Sequence, residues 1–259
     1  DHRDLHSFPT RRSSDLRFYR VMLKKYGVEL KLGQAVNQEN LISENFDAVV
    51  LATGVRPRAL ELEGADHAKV LSYLDVLDEE CLVGQKVAVI GAGGIGIDVA
   101  HYLTAQTPFS GDVPEYLQGY GILDSEKALA LRKPKKREVT VLQRSSDKIG
   151  KRLGKTTGWA HIQTLKSHGV QLLSGATYLK IDDAGLHVKV SLKKGEEPQK
   201  IVMDVDNVIV AAGQEPRLDM EASLREAGLE VHVIGGAKAS LGLDAHTAIN
   251  DGAELAAKF

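Results

Sequence analysis

The chain has 259 residues, 43% hydrophobic and 26% charged, a composition typical of a globular protein with one large or two smaller domains. Its net charge of −2 argues against binding to nucleic acid or an anionic membrane, and no apolar run approaches the roughly 20 residues of a membrane span. The lone cysteine, Cys81, excludes an internal disulfide and a C-x-x-C redox pair. Together with the absence of a signal-peptide pattern, these features predict a cytoplasmic protein.

Residues 1–16, DHRDLHSFPTRRSSDL, do not fit the rest of the chain, because they show neither a helical nor a strand period. We expect them to be a non-native segment, a translated adapter joined to a truncated reading frame. A disordered N-terminal arm is the alternative. The fold is therefore interpreted from residue 17 onwards.

Two segments carry nearly the same phrase, NFDAVVLATGVRPR at residues 45–58 and DVDNVIVAAGQEPR at residues 204–217. Each follows an amphipathic basic helix pattern, a Gly-Val pair and a strand pattern. The second copy contains an added hairpin, GLHVKVSLKKGEEPQKIVMDV, with its turn at KKGEEP. Because the period is far too long for a solenoid repeat, the phrase indicates a duplicated half-domain.

The segment KVAVIGAGGIGIDVAHYLTAQ predicts a buried strand over Lys86–Ile90, a tight glycine turn and a helix over residues 95–106. Gly91, Gly93 and Gly96 have the G-x-G-x-x-G spacing, in the strand–turn–helix context that the dinucleotide fingerprint requires. The first glycine permits the turn, the second lets the backbone approach a pyrophosphate, and the third lets the helix pack closely on the strand. The sequence therefore predicts dinucleotide binding; a tight turn without a ligand is the alternative.

The next strand, EVTVLQR at residues 138–144, follows an insertion at residues 107–137 and decides between NAD and NADP. NAD enzymes keep an acidic residue at this strand end to bind the ribose 2′-hydroxyl. Here Gln143 and Arg144 stand at that end, with Lys148 close behind. Because an Arg can bind a phosphate through two parallel hydrogen bonds, the sequence predicts NADP(H), with a solvated Arg as the alternative.

Two further polar features are open to more than one interpretation. Asp98, expected in the first turn of the glycine-loop helix, is predicted either to contact the nicotinamide half of the cofactor or to complement the helix dipole. GKRLGKTTGW resembles a P-loop, but Gly150 is out of register with Gly154, so Thr156 or Thr157 is predicted to be a helix N-cap instead. The histidines show no metal-ligand spacing.

The motifs LATG, GAGGIG and AAGQEP, in this order, resemble the two-dinucleotide-binding flavoproteins of the glutathione- and thioredoxin-reductase-like superfamily. The resemblance implies an α/β fold in which a Rossmann-like NADPH domain is inserted into an FAD domain that is incomplete here. Each copy of the repeated phrase would form the end of one nucleotide-binding unit. We expect residues 17–82 to be a partial FAD-binding domain, residues 83–212 the NADPH-binding domain, and residues 213–259 the C-terminal part of the FAD-binding domain.

Residues 17–259 also resemble, more closely, the C-terminal region of the bacterial NADPH-dependent 2,4-dienoyl-CoA reductases. The resemblance includes the insertion before the second strand. The matching segments are KVLSYLDVL (residues 69–77), GGIGIDVA (93–100), VLQR (141–144), LGKTTGW (153–159), KIDDAGLHV (180–188), VDNVIVAAGQEP (205–216) and VHVIGGAKASLGLDAHTAI (231–249).

Candidate cofactor contacts follow from the glycine loop and from the resemblance, which alone assigns Gly213, Gln214 and every FAD residue. No catalytic residue and no metal ligand is assigned. The predicted NADPH contacts are Gly91, Gly93, Gly94, Gly96, Asp98, Gln143, Arg144, Lys148, Gly213 and Gln214. The FAD contacts implied by the resemblance are Ala52, Thr53, Gly54, Gly235, Gly236, Leu243, Asp244 and Ala245.

In the dienoyl-CoA reductases, electrons pass from NADPH through FAD and an iron–sulfur cluster to FMN in a (β/α)8 barrel, for beta-oxidation of unsaturated fatty acids. The resemblance thus implies an NADPH-oxidising flavoprotein portion whose partner is a missing N-terminal barrel of the same polypeptide. Cys81 cannot supply the roughly four thiolates of a cluster, so we expect the chain alone to be inactive. The resemblance also implies that the first strand and glycine loop of the FAD unit are missing, so we expect the chain to hold FAD poorly. The alternatives are another NADPH-dependent flavin oxidoreductase of the trimethylamine dehydrogenase-like group, or a nucleotide-binding module without catalysis.

Overall fold

A computed structural model describes residues 7–44, 46–78, 81–104, 137–151, 153–154, 157–192, 195–240, 242 and 244–259. The chain divides into two compact units, Asp1–Leu51 with Leu218–His232, and Ala52–Arg217 with Val233–Phe259. In chain order the described elements are α1 (Ser7–Lys25), α2 (Gln38–Ser43), β1 (Ala48–Leu51), β2 (Val55–Pro57), β3 (Val70–Ser72), α3 (Tyr73–Leu77), β4 (Lys86–Ile90), α4 (Gly94–Thr104), β5 (Glu138–Leu142), α5 (Gly158–Ser167), β6 (Gln171–Leu173), β7 (Thr177–Asp182), β8 (Gly185–Val190), β9 (Gln199–Met203), β10 (Asn207–Val210), β11 (Gln214–Pro216), α6 (Glu221–Glu226), β12 (Glu230–Val233), a 3₁₀ turn (Gly235–Ala237) and α7 (Ala245–Ala256).

The first unit contains α1, α2, α6 and a two-stranded sheet of β1 and β12. Asn37 caps α2 by accepting a hydrogen bond from the Asn40 backbone N–H at 2.8 Å. Residues 1–6 lie outside the described residues, and the expectation that residues 1–16 are non-native stays a prediction. Helix α1 begins at Ser7 and so includes residues 7–16, which show no helical period in the sequence. The physical reason is that each residue added to an existing helix forms one further backbone hydrogen bond, which extends the helix beyond its amphipathic part.

The second unit is built around a parallel five-stranded sheet with the order β3-β10-β4-β5-β6. The predicted strand over Lys86–Ile90 is β4, and it occupies the centre of this sheet. The edge strand β3 comes from before residue 83, where the NADPH domain was predicted to begin, so the sheet extends beyond that boundary. The domain boundaries as functional divisions stay a prediction.

The two faces of the parallel sheet pack against different layers. Val87 and Val89 of β4 belong to a core cluster with α3, α4 and α5, whereas Ala88 and Ile90 belong to a second cluster with β7 and β8. All four side chains are at most 1% exposed, which explains why β4 is a continuous apolar run rather than an alternating one. Strands β7, β8 and β9 form an antiparallel meander, and β8 and β9 are the hairpin predicted within the second repeat.

The ends of the two repeated phrases pair with each other. β2 and β11 form an antiparallel ribbon in which Glu215 lies opposite Arg56. The Arg58 backbone N–H donates to the Gly213 carbonyl at 3.1 Å, and the Arg217 N–H donates to the Gly54 carbonyl at 3.0 Å. Equivalent residues of the two copies therefore exchange equivalent hydrogen bonds, a relation that follows from the duplication but was not part of the prediction.

Candidate functional site

The turn between β4 and α4 has the predicted glycine fingerprint, and two of its glycines are required by the protein itself. Gly91 has φ +111°, and a Cβ there would lie 2.2 Å from the Ala211 carbonyl oxygen. A Cβ on Gly96 would lie 1.9 Å from the Gly91 carbonyl oxygen, so α4 can approach the end of β4 only because this residue has no side chain. Both observations agree with the roles expected for the first and third glycines.

The other two loop glycines are not required by backbone conformation or packing. Gly93 and Gly94 are exposed, neither has a positive φ, and a Cβ on either would meet no protein atom within 4 Å. Bare backbone at these positions leaves the first N–H groups of the 11-residue helix α4 open to a ligand. An anion is favoured there because unpaired N–H groups and the helix dipole point to the same place. These residues fit the phosphates of a dinucleotide.

A cavity of about 700 Å³ lies along this turn, within the size range of small-molecule sites. All of the residues predicted to contact NADPH line this cavity except Gly96 and Asp98. Its lining residues are Arg58, Ile90, Gly91, Ala92, Gly93, Gly94, Ile95, Gln143, Arg144, Ser145, Asp147, Lys148, Gly150, Lys151, Tyr178, Ala211, Ala212, Gly213, Gln214 and Ser240.

Gly96 and Asp98 lie outside the cavity lining for different reasons. Gly96 is buried beneath the loop, where it serves packing. Asp98 is exposed and is the fifth residue of α4, whose first turn contains no acidic residue. The prediction that Asp98 belongs to the first turn is therefore corrected, because α4 begins at Gly94, and the dipole alternative weakens since that effect fades beyond one turn.

At the carboxyl end of β5, the residues divide between organising the loop and facing the cavity. The Gln143 side-chain amide donates to the carbonyl oxygens of Ser145, at 3.0 Å, and of Asp147. Lys151 pairs with the Asp147 carboxylate at 2.8 Å. Gln143 therefore shapes the loop with its amide N–H groups, and its contact with a cofactor stays a prediction.

Arg144 and Lys148 are the cations that remain at this end of the cavity. Both are exposed, and within the described ranges neither has an ion-pair partner. They stand beyond the second strand, where the ribose of a dinucleotide lies in this kind of fold. An anionic group at that position would meet two uncompensated positive charges.

The opposite end of the cavity is formed by the second repeat. Gly213 has φ +114°, and the Gln214 side-chain amide donates to the Tyr73 hydroxyl at 2.9 Å. Arg58 lines the cavity beside Gly213, since the ribbon of β2 and β11 brings these residues together. Gly213 and Gln214 are thus in the cavity, as the resemblance implied; their contact with a nicotinamide stays a prediction.

Sequence reasoning missed Arg58 and Tyr178, which also line the cavity. Arg58 ends the first copy of the repeated phrase, and pairing that copy with the second would have placed it near Gly213. Tyr178 lies on β7, in the meander, and no local sequence signal marks it as a site residue. Arg58 reaches the cavity through a strand pairing between distant parts of the chain, and Tyr178 through the pairing of the neighbouring strands β7 and β8.

The residues assigned to FAD lie outside this cavity, and Leu243 lies outside the described residues. The Thr53 hydroxyl donates to the Arg217 carbonyl, and Gly54 has φ +73° with open space where a Cβ would stand. The Gly235 N–H donates to the Asp251 carboxylate at 3.0 Å, so that group is already engaged. Their contact with FAD stays a prediction.

Of the remaining FAD residues, Ala52 directly follows β1, and the other three lie at the start of α7 and in the 3₁₀ turn that packs on this helix. Asp244 caps α7 by accepting from the Thr247 N–H at 2.7 Å, with Ala245 as the first helical residue. Ala52 is exposed and Gly236 is buried. The N-terminus of α7 therefore exists as expected, and its cap is formed within the helix itself.

A second cavity of about 630 Å³ adjoins the first and shares Lys148, Gly150 and Lys151 with it. Its wall includes Trp159 in the first turn of α5. Thr157 stands at the N-cap of α5, as predicted, but its side chain makes no capping hydrogen bond. The other N-cap candidate, Thr156, lies outside the described residues.

The described residues contain neither a metal-ligand cluster nor a helix able to span a membrane. There, no group of three or more His, Cys, Asp or Glu side chains is arranged to hold a metal ion. None of the helices described is both long enough and apolar enough to cross a membrane.

Comparison with known proteins gives relatives that are much longer than this chain. A metal reductase of Desulforamulus reducens is 28% identical over 227 residues, covering 86% of this chain and 33% of the relative. A cinnamate reductase of Clostridium sporogenes is 29% identical over 224 residues, covering 86% of this chain and 28% of the relative. The chain thus spans about a third of their length.

The fold is shared with solved structures of other proteins. The structure of a 2-naphthoyl-CoA reductase complex matches with a TM-score of 0.71 and 24% identity, covering 95% of this chain and 32% of that one. The family model for pyridine nucleotide-disulphide oxidoreductases matches residues 13–239. The chain therefore belongs to the pyridine nucleotide-disulphide oxidoreductases, a family of flavin-dependent oxidoreductases with the α/β fold described above, whose members bind FAD and nicotinamide nucleotides.

Proposed function

We propose that this chain is the NADPH- and FAD-binding portion of a reductase of the 2,4-dienoyl-CoA reductase type. The motif resemblance across residues 17–259 supports the assignment, as do relatives named for the reduction of cinnamate and 2-naphthoyl-CoA. Because the chain spans about a third of those relatives, the proposal includes a barrel with FMN and an iron–sulfur cluster elsewhere in the polypeptide. The physiological role would be beta-oxidation of unsaturated fatty acids in the cytoplasm.

The observation that carries the nucleotide site is the open backbone at Gly93 and Gly94. No protein atom fills the space beside these glycines, although it faces the N-terminus of a helix. A turn that served only to connect β4 to α4 would gain stability from side chains at these positions, because glycine loses the most conformational entropy on folding. The arrangement therefore supports a ligand whose phosphates approach the loop closely.

The choice of NADPH over NADH rests on the cations beyond β5. Arg144 and Lys148 face the cavity, while the only carboxylate of its described lining, Asp147, is paired with Lys151. A 2′-phosphate would compensate this excess of positive charge. A free ribose 2′-hydroxyl would find no carboxylate to accept its hydrogen bond.

The residues of the cavity can bind and orient such a cofactor along its length. The N–H groups at the start of α4 would bind the pyrophosphate, Arg144 the 2′-phosphate, and Gly213 with Gln214 would border the nicotinamide. The hydrogen bond from Gln214 to Tyr73 holds that amide in one orientation. A bound NADPH supplies a hydride that a bound flavin can accept, and the chain's own contribution is positioning.

Titration of NADPH and NADH against wild type and Arg144→Ala tests the cofactor assignment. A hydrogen bond to a charged group contributes roughly 1.5–3 kcal/mol, so the variant should bind NADPH about ten- to a hundredfold more weakly. NADH affinity should stay nearly unchanged. Arg225→Ala is a matched control, because Arg225 is an exposed helical Arg that pairs with Glu221 outside the cavity.

Equal losses for NADPH and NADH in Arg144→Ala would refute the 2′-phosphate assignment. A test of the substrate class requires the full-length polypeptide. It is assayed for NADPH-dependent reduction of a 2,4-dienoyl-CoA, with cinnamate as the competing substrate. Turnover of cinnamate without turnover of the dienoyl-CoA would assign the protein to a different reductase.

A further inference from the structure

An irregularity in β7 turns Tyr178 towards the parallel sheet. Tyr178 pairs with Val188 and Ile181 pairs with Leu186, and both partners are fully buried in the second core cluster. Residues three apart point to opposite faces of a regular strand, so these two could not both face the core. The pairing with β8 shifts by one residue at Leu179, and this β-bulge returns Tyr178 to the core side.

The two ends of the Tyr178 side chain have different surroundings. The ring packs against the second core cluster, while the side chain also lines the nucleotide cavity near Arg144. In the described part of the chain, no hydrogen-bond partner of its hydroxyl is found. Tyrosines that are largely buried usually have such a partner. The Tyr178 hydroxyl is not fully buried, so a ligand or a water molecule in the cavity can accept its hydrogen bond.

The charge state of Tyr178 suits it to the role of a donor. Burial raises the pKa of the Tyr178 phenol above its ordinary value, and the nearby Arg144 charge lowers it by a smaller amount. The hydroxyl therefore keeps its proton throughout the neutral pH range. An O–H group beside a fixed cation favours an anionic acceptor, because a hydrogen bond to an ionised acceptor is roughly twice as strong as one between neutral groups.

We propose that Tyr178 is a specificity-determining residue of the nucleotide site, and that its hydroxyl donates a hydrogen bond to the 2′-phosphate that Arg144 binds. The inference rests on the proposed preference for NADPH. Arg144 follows β5 and Tyr178 belongs to β7, so two separate elements of the fold would hold one phosphate. The meander would then contribute to the choice of cofactor in addition to covering the sheet.

The test uses 2′,5′-ADP and 5′-AMP as probes, because they differ only by the 2′-phosphate. Tyr178→Phe keeps the ring in the core and removes only the hydroxyl. It should weaken binding of 2′,5′-ADP and NADPH about tenfold and change binding of 5′-AMP and NADH less than about twofold. Tyr26→Phe is the matched control, since Tyr26 is 67% exposed and outside the cavity lining.

The outcomes separate this inference from the function on which it rests. If Arg144→Ala weakens binding of NADPH but not of NADH, while Tyr178→Phe binds 2′,5′-ADP as tightly as wild type does, the inference is overturned and the proposed function stands. Equal weakening of 2′,5′-ADP and 5′-AMP in Tyr178→Phe would also overturn it. If wild type shows no preference for the 2′-phosphorylated probe, the proposed function itself fails.

For a Tyr178→Phe variant that does not fold, the wild-type protein supplies an independent measurement. Binding of 2′,5′-ADP should perturb the tyrosine ultraviolet difference spectrum, whereas 5′-AMP should not. Identical spectra with the two probes would overturn the inference.

Discussion

The contact between Gly96 and Gly91 gives the most direct test of the nucleotide-binding turn. In Gly96→Ala, the new Cβ would lie 1.9 Å from the Gly91 carbonyl oxygen and 2.9 Å from its carbonyl carbon. Real Cβ atoms essentially never approach closer than 3.0 Å, so α4 and the end of β4 must separate by about 1 Å. The atoms that must move belong to backbone, which has little freedom to yield.

The expected cost follows from where this contact lies. Ile97, Val99 and Ala100 of α4 are at most 1% exposed in the first core cluster, so a shift of the helix disturbs closely packed side chains. Overpacking of this kind costs about 1–3 kcal/mol, and the upper end applies when backbone must move. Alanine is a better helix former than glycine by about 1 kcal/mol. The net loss in free energy of unfolding should be about 2 kcal/mol.

Gly93→Ala is the matched control in the same loop. A Cβ at Gly93 meets no protein atom within 4 Å and needs no unusual backbone conformation. Its free energy of unfolding should therefore stay within about 0.5 kcal/mol of wild type. NADPH affinity should nevertheless fall at least about tenfold, because the methyl group occupies space that the pyrophosphate needs.

Urea denaturation followed by circular dichroism and titration with NADPH measure the two effects separately. Gly96→Ala should unfold at a lower urea concentration, with an unchanged dependence of free energy on urea. A Gly96→Ala midpoint equal to that of wild type would refute the packing argument. Undiminished NADPH affinity in Gly93→Ala would mean that the loop is only a turn.

Two further predictions concern the framework of the same sheet. The Asp206 carboxylate accepts from the Lys86 N–H at 2.8 Å and from the Gln85 N–H at 2.7 Å, and these bonds lower the pKa of Asp206. A lowered folded-state pKa gives stability that is present above the unfolded-state pKa of about 4 and is lost as the pH falls through the folded-state pKa. Asp206→Asn should therefore be less stable than wild type at pH 7, with a gap that narrows as the pH falls below about 4. Urea midpoints across this pH range measure the gap, and a gap independent of pH would contradict the assignment. The Arg137 guanidinium donates to the carbonyls of Gly84 at 3.1 Å, Val83 at 3.3 Å and Leu103 at 3.4 Å. Because lysine lacks the planar fork of donors, Arg137→Lys should lower the free energy of unfolding by about 1–3 kcal/mol. An unchanged urea midpoint would show that these bonds contribute little.

The structural elements around the candidate site that sequence predicted correctly depend on local signals. β4 agrees residue for residue with the predicted strand, because a short run of buried β-branched residues between turns has few alternatives. The glycine loop and Arg144 followed from spacing within one strand–turn–helix unit and the strand after it. Such signals lie within a few residues of the structure that they specify.

The parts that sequence did not predict depend on how strands pair rather than on a motif in the sequence. Arg58 reaches the cavity because β2 pairs with β11, and Tyr178 because a bulge at Leu179 changes which side of β7 it faces. Neither the pairing nor the bulge has a local signature in this chain. Asp98 was misplaced by a smaller effect, since α4 begins one residue earlier than predicted and moves it out of the first turn.

The exchange of hydrogen bonds between the two repeats has the form of a contact between identical subunits. The Gly54 carbonyl accepts from the Arg217 N–H, and the Gly213 carbonyl accepts from the Arg58 N–H. Each copy therefore contributes the same donor and the same acceptor to the contact. A two-fold homodimer interface obeys this rule, and here one polypeptide contains both halves. Each half can therefore diverge independently: Arg58 faces the nucleotide cavity, whereas Arg217, its counterpart, is absent from the lining. The symmetry of the backbone is retained while the chemistry of its two sides is not.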